Sequence, residues 1–251
     1  MSKRHHRHLI IPDTQIRPGE PVHHLDWARA AILQYKPDVI VHLGDHWDMA
    51  SLSSYDRAGS KSMEGKRYLR DVEVGNEAFE RLNHRITTAR YRPRKVILRG
   101  NHENRIERAI ESDAKLDGAL SMDHLDTLDW ECHPFLERVW IHGIVYSHYF
   151  QQQNSSYSIG GSIDNRLNRI GDSFVQGHQQ GFLYGNRVYP TGRTRHGLVA
   201  GSFYLHDEKY KGLQGNDHWR GIVVLNGVCS GDYAVMPLDV GYLRREYGRR
   251  K

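Results

Sequence analysis

The first 114 residues alternate between two hydrophobic patterns, and that alternation constrains the fold more than any other feature of the chain. RHLIIPD (7–13), PDVIVHLGD (37–45) and RKVILRGN (94–101) are short, β-branched runs bounded by Pro, Gly or Asp, the pattern of buried strands. VHHLDWARAAILQYK (22–36), KRYLRDVEVGNEAFERLNHRITTAR (66–90) and ENRIERAIESDA (103–114) carry apolar residues at helical spacing. Strand–helix–strand–helix–strand order predicts parallel strands joined by right-handed crossovers. The second half changes character. RVWIHGIVYSHYF (138–150) reads as a hairpin turning at His142-Gly143. DSFVQGHQ (172–179), RTRHGLVAGS (193–202), WRGIVVLNG (219–227) and DYAVMPLD (232–239) read as further strands, with few helices between them. The expected fold class is α/β: one domain over residues 1–251 with two mixed sheets, parallel-rich in its first half and more antiparallel in its second.

A chain of 251 residues can build a continuous core. No run of about 18 apolar residues exists, so no membrane span is expected. The basic start MSKRHHRHLIIPD has too short an apolar run for a signal peptide. Cys132 and Cys229 read as small buried hydrophobes, not a disulfide framework, which favours a reducing cytoplasm. The formal charge of +5 is concentrated at the ends. Residues 1–8 carry Lys3, Arg4 and Arg7, and residues 244–251 carry Arg244, Arg245, Arg249, Arg250 and Lys251 against Glu246. These tails hold more positive charge than the whole chain, so the body is slightly acidic. They read as solvated ends, with electrostatic help toward a polyanion as the alternative.

In open α/β sheets, sites form beyond the carboxyl ends of strands. Five such ends here present chemistry. They are Asp13-Thr14-Gln15, Gly44-Asp45 with Asp48, Gly100-Asn101-His102, Ser147-His148 and Gly177-His178-Gln179-Gln180. A lone Asp there is more often a turn residue or helix cap, and a lone His such as His42 or His142 is more often structural. Five together in one topological place point to a metal. Carboxylate and amide oxygens mixed with imidazole suit Mn, Fe, Zn or Mg.

The order Asp-x-Gln, Gly-Asp-x-x-Asp, Gly-Asn-His-Glu, His, Gly-His-x-Gln resembles the calcineurin-like metallophosphoesterases over residues 9–180. SHYF and GHQQ give it the flavour of versions encoded by bacteriophages, which would place it in the host cytoplasm. The resemblance implies a four-layer α/β/β/α sandwich with two divalent metals. One metal would take Asp13, Gln15, Asp45 and Gln180. The other would take Asp45, Asn101, His148 and His178, with Asp45 bridging. It further implies phosphate-ester hydrolysis by a metal-bridging hydroxide, with His102 as the acid for the leaving group and Asp48 orienting it. Such roles make chemical sense: paired cations clamp a phosphate, and a carboxylate-held His has a fixed tautomer and a raised pKa.

Two positions depart from the family pattern, which has His where Gln15 and Gln180 stand. Both fall on the same implied metal, which suggests an adjusted site. A glutamine carbonyl is a neutral oxygen donor replacing a neutral nitrogen donor. The all-oxygen set favours Mn²⁺, or Mg²⁺ at that half, over Zn²⁺ or Fe²⁺, with weaker affinity.

Three polar segments could rim the site and choose the substrate. Residues 49–67 carry Tyr55, Arg57, Lys61, Lys66 and Arg67; residues 151–166 follow His148; residues 205–221 carry Tyr210, Lys211, His218 and Trp219. Asn104 and Arg105 could also touch a phosphate, though Arg105 could instead pair on a helix surface. No large cap remains after His178, so an open site is expected, tolerant of phosphodiesters or small phosphate esters; phosphodiesters of nucleotide or nucleic-acid type are the favoured substrate. The competing reading is a catalytically inactive relative that binds nucleic acid or serves assembly, supported by Gln15 and Gln180 and opposed by the retained His102.

Overall fold

A computed structural model describes residues 4–54, 60–208, 211–212 and 214–248. Lys3, Tyr55, Arg57, Tyr210, Arg249, Arg250 and Lys251 lie outside the described residues. The elements run β1 (His6–Ile11), α1 (His24–Tyr35), β2 (Val39–His42), α2 (Tyr68–Asn83), β3 (Arg94–Leu98), α3 (Arg105–Ser112), β4 (Glu131–His133), β5 (Val139–Ile141) and β6 (Ile144–Ser147). They continue α4 (Ile163–Ile170), β7 (Phe174–Gln176), β8 (Phe182–Val188), β9 (Thr194–Ala200), β10 (Gly221–Cys229), β11 (Asp232–Asp239) and α5 (Val240–Tyr247).

The first sheet has the order β11-β10-β1-β2-β3-β4. Its strands β1 to β4 are parallel, β10 adds antiparallel beside β1, and β11 pairs antiparallel with β10 at the edge. The second sheet runs β5-β6-β7-β9-β8, with β6, β7 and β9 parallel and antiparallel strands at both edges. The halves of the chain are therefore not the two sheets, because β10 and β11 return to the first.

Strand β1 shows how the layers form. Leu9 and Ile11 pack with Leu25, Ile32, Phe79, Leu82, Ile106 and Leu243 of the helices. Ile10, one residue out of phase, packs between the sheets with Val41, Val96, Tyr146, Val175 and Leu198. Side chains of a strand alternate faces, so a strand buried on both reads as a continuous apolar run. Helix α4 covers the outer side of the second sheet, Leu167 packing with Val145 and Phe174. The result is a two-sheet α/β sandwich with helices on both outer faces.

The differences from the sequence reading have local causes. Helix α2 stops at Asn83, not near residue 90, because Arg85 turns left-handed at φ 56° and Ile86 is fully buried. Helix α4 begins within the polar segment 151–166: Ser162 Oγ accepts the Asn165 N–H at 3.3 Å, and left-handed Gly171 closes the other end. Helix α5 occupies part of the basic tail. Asp239 Oδ1 accepts the Tyr242 N–H at 2.8 Å, and Leu243 and Tyr247 are buried. Arg244 and Arg245 thus sit on a packed helix, and Arg7 donates to Asn226 Oδ1 at 2.8 Å, so these are not free basic arms. Strands β4 and β8 were not expected; β4 has three residues, and β8 is a largely exposed edge strand. Cys132 and Cys229 are free but only half-buried. Among the described residues no helix is long and apolar enough to cross a membrane.

Candidate metal centre

Parallel order puts the carboxyl ends of β1, β2, β3, β6 and β7 on one rim, and backbone bonds bind their loops together. The Gln15 N–H donates to Asp45 O at 2.8 Å, Ile16 N–H to His46 O at 2.7 Å, and Gly177 N–H to His148 O at 3.0 Å. Glu103 clamps two of the loops. Its carboxylate accepts the N–H groups of Asp45 (3.0 Å), His46 (2.6 Å), Trp47 (3.0 Å) and Gly100 (2.7 Å). Glycine is required where these loops meet. A Cβ on Gly100 would stand 2.1 Å from Asp45 Oδ1, and one on Gly177 would stand 2.5 Å from Asp13 Oδ1. Gln15, Asp45 and His178 hold left-handed backbone at φ 40°, 50° and 63°. Such conformations cost energy in non-glycine residues and cluster at functional sites.

Four of the expected ligands converge. Asn101 Oδ1 lies 2.9 Å from His148 Nε2 and 2.7 Å from His178 Nδ1. Asp45 Oδ2 lies 3.4 Å from His148 Nε2, and ligand atoms of Asp45, His148 and His178 all fall within 4.8 Å of one another. His148 Nδ1 donates to Leu43 O at 2.8 Å, which leaves Nε2 as a lone pair in the neutral ring. The Asn101 oxygen, the Asp45 carboxylate and the His148 lone pair are all acceptors, so their convergence calls for positive charge between them. Atoms about 2.0–2.2 Å from a cation, at about 90–109° to each other, sit about 2.8–3.6 Å apart; the observed spacing is close to this. Burial opposes a proton on His148, but Asp45 and Asp13 outweigh it and push its pKa up to about 9. The cluster thus draws in a proton in the place where a cation would serve. His178, lowered to about 4 by burial and by His148, is neutral and free to ligate.

The oxygen half also fits a cation. Asp13 is fully buried; its Oδ1 accepts the His178 N–H at 3.0 Å, while Oδ2 finds no hydrogen-bond partner among the described residues. Gln15 Oε1 is likewise buried and unpartnered. Each such buried acceptor costs about 1–3 kcal/mol unless something satisfies it, and a hard cation satisfies oxygen. Burial, and then Asp45, push the Asp13 carboxyl up to about 7. Gln180 is half-buried two residues beyond His178, and the intervening Gln179 accepts a hydrogen bond from Arg166.

His102 stands beside Asp45 without sharing the ligand cluster. Its Nδ1 is 2.7 Å from Asp48 Oδ1, and its N–H donates to Asp45 Oδ1 at 2.9 Å. Burial lowers its basicity, yet Asp45 and the bond to Asp48 leave its pKa raised overall. Arg105, expected at the substrate, is buried: it donates to the carbonyls of Asp48 (2.7 Å) and Met49 (3.3 Å), and its Nη2 lies 3.2 Å from His102 Nε2. It supports His102 from the same helix turn. Asn104 stands at the start of α3 without a side-chain capping bond and is half-exposed.

Several contributors escaped the sequence reading. Arg17 places Nη1 3.6 Å from Asp48 Oδ2 and Nη2 2.8 Å from Glu208 Oε1, so the segment after β9 reaches the His102 side of the site. Under the ligand loops runs a directed chain. Gly44 N–H donates to His42 Nδ1 (3.2 Å), so His42 Nε2 donates to Thr14 Oγ1 (3.2 Å). The Thr14 hydroxyl then donates to His46 Nδ1 (2.7 Å), and His46 Nε2 donates to Gly75 O (3.1 Å). An amide donor at one end and a carbonyl at the other fix the direction, with both rings kept neutral by burial. Thr14 sits between Asp13 and Gln15, and His46 follows Asp45, so the chain braces both ligand loops. Its one sequence signal is that two histidines and a threonine neighbour the acidic motifs.

No protein-family model matches the chain, and no curated protein matches it.

Proposed function

We propose that this chain is a binuclear metal-dependent phosphoesterase of the calcineurin-like type, with phosphodiesters preferred. The carrying observation is the convergence of Asp45, Asn101, His148 and His178 next to the unpartnered oxygens of Asp13 and Gln15, with the His102–Asp48 pair alongside. The layering of two sheets between helices agrees with that family's sandwich.

Asp45, Asn101, His148 and His178 would hold one divalent cation, and Asp13, Gln15, Asp45 and Gln180 the other, with Mn²⁺ preferred and Mg²⁺ acceptable at the all-oxygen half. Bound there, such ions supply Lewis acidity at a phosphoryl oxygen and lower the pKa of bound water. The chain's own groups do the rest. Asp48 holds the Nδ1 proton of His102 and leaves Nε2, 3.2 Å from Arg105 Nη2, as the nitrogen that, once protonated, would donate to the departing oxygen. Asp48 also stabilises the charged ring, and Arg105 fixes the carbonyl of Asp48 that carries this pair. The Glu103 clamp and the Thr14 chain hold the loops so that little reorganisation is needed on binding.

The test is hydrolysis of bis-para-nitrophenyl phosphate and of the monoester, with Mn²⁺, Mg²⁺, Zn²⁺ or chelator. Metal-dependent turnover that favours the diester and is lost in His148→Ala is expected. No turnover with any metal would overturn the proposal and leave a binding or assembly role.

A further inference from the structure

A cavity of about 400 Å³ lies between β5, the segment after β6 and the end of α4, and Tyr149 joins it to the candidate metal centre. Tyr149 belongs to both: it lines the cavity, and its ring centroid lies 4.6 Å from that of His178. The walls also carry Arg138, Trp140, Phe150 and Arg169. Trp140 is 56% exposed, while Val139 and Ile141 on either side of it are buried. The pleat of β5 therefore turns an indole outward, into the cavity, where it packs on no core. The guanidinium carbon of Arg138 lies 5.9 Å from the Trp140 ring centroid. The wall's acid, Asp172, is paired with Arg195 at 2.9 Å, so the net character of the cavity is cationic.

We propose that this cavity is a nucleotide subsite for a single-stranded nucleic acid whose neighbouring phosphodiester lies at the metal centre: a nucleobase stacks on Trp140, and Arg138 and Arg169 take a backbone phosphate. An exposed aromatic ring beside arginines is the chemistry that binds single strands, because every base has a π-face and every linkage a negative charge. The volume is within the range of small-ligand sites. A lipid chain would need an apolar tunnel in place of the two arginines, and a peptide phosphorylated on Ser or Thr brings no ring with its phosphate to stack on the indole. The inference depends on the phosphoesterase reading only for what happens to the bound strand.

The test is binding, in EDTA, of a labelled oligodeoxythymidylate and of an abasic strand of equal length that carries the same phosphates. The wild-type chain is expected to prefer the thymidylate by about 5- to 150-fold, the range for stacking one base. Trp140→Ala is expected to bring that preference close to one; its exposure makes a folding defect unexpected, and circular dichroism checks this. Arg138→Ala with Arg169→Ala is expected to weaken both strands and to flatten the salt dependence. A base preference unchanged in Trp140→Ala, or no binding of either strand by the wild type, would overturn the subsite. The two readings fail separately. Strand binding without hydrolysis of any ester removes the phosphoesterase reading alone, and ester hydrolysis with a base preference indifferent to Trp140 removes the subsite alone.

Discussion

Oδ1 of Asp48 lies 2.7 Å from Nδ1 of His102, so the carboxylate holds the proton on that nitrogen and leaves Nε2 for the ester that the proposed function brings to the site. A group that protonates a leaving oxygen matters in proportion to how badly that oxygen leaves. For a dinucleotide, with an alkoxide leaving group, His102→Ala is expected to lower kcat/KM by about 10²–10⁴-fold. For bis-para-nitrophenyl phosphate, whose phenolate leaves without a proton, the loss should be much smaller. Asp48→Asn should fall between on the dinucleotide. Equal losses on both esters would reduce His102 to a structural role.

Thr14 is wholly buried and links His42 to His46 through one hydroxyl. Thr14→Val keeps the shape and strands a ring nitrogen on each side. Two unsatisfied buried groups cost about 2–6 kcal/mol together, which urea unfolding would read as a lowered midpoint at unchanged slope. Thr14→Ser keeps the hydroxyl and should recover most of the loss. A Val variant as stable as the wild type would show that the chain of bonds is dispensable.

Much of the site was legible because strand ends announce themselves: an apolar run stops and Asp13, Asp45, Asn101, His148 or His178 follows. Parallel order then places those ends on one rim. Three kinds of information were not legible. Glu103 stood in the motif, but its grip on four backbone N–H groups depends on two loops meeting across the sheet. Arg17 and Glu208 are distant in sequence and meet only because the segment after β9 folds back over β1. Helices α4 and α5 were hidden because their apolar content is small; what starts them is a single cap, Ser162 or Asp239. Arg105 was assigned to the substrate by its position after the motif, whereas the helix phase turns it beneath His102.

His24 carries two buried ring nitrogens with no hydrogen-bond partner among the described residues. Burial, with help from His23, lowers its pKa to about 3. The folded value lies below the unfolded value of about 6.5, so between those limits the unfolded chain binds more protons. Its stabilising contribution is therefore complete above about pH 6.5 and is lost as pH falls toward 3, by up to about 1.4 kcal/mol per pH unit. His8, lowered to about 3 by burial and by His142, adds the same sign. Unfolding curves from pH 7 to 5 should therefore fall more steeply for the wild type than for His24→Phe. Parallel curves would show that His24 does not titrate in this way.

Under the proposed function Gln15 and Gln180 stand where the family has imidazole, so introducing nitrogen there should tighten the weaker half. Gln15→His with Gln180→His is expected to retain more metal after dialysis and to shift preference from Mn²⁺ toward Zn²⁺. Metal content by mass spectrometry reads both effects. Retention unchanged in the double variant would mean that neither position faces an ion.

The most direct measurement is anomalous scattering from crystals soaked in Mn²⁺. Two peaks flanking Asp45 are expected, a strong one among Asn101, His148 and His178 and a weaker one beside Asp13 and Gln15. Density from Mn²⁺ elsewhere, with no peak at Asp45, would contradict the assignment of this rim as a metal centre.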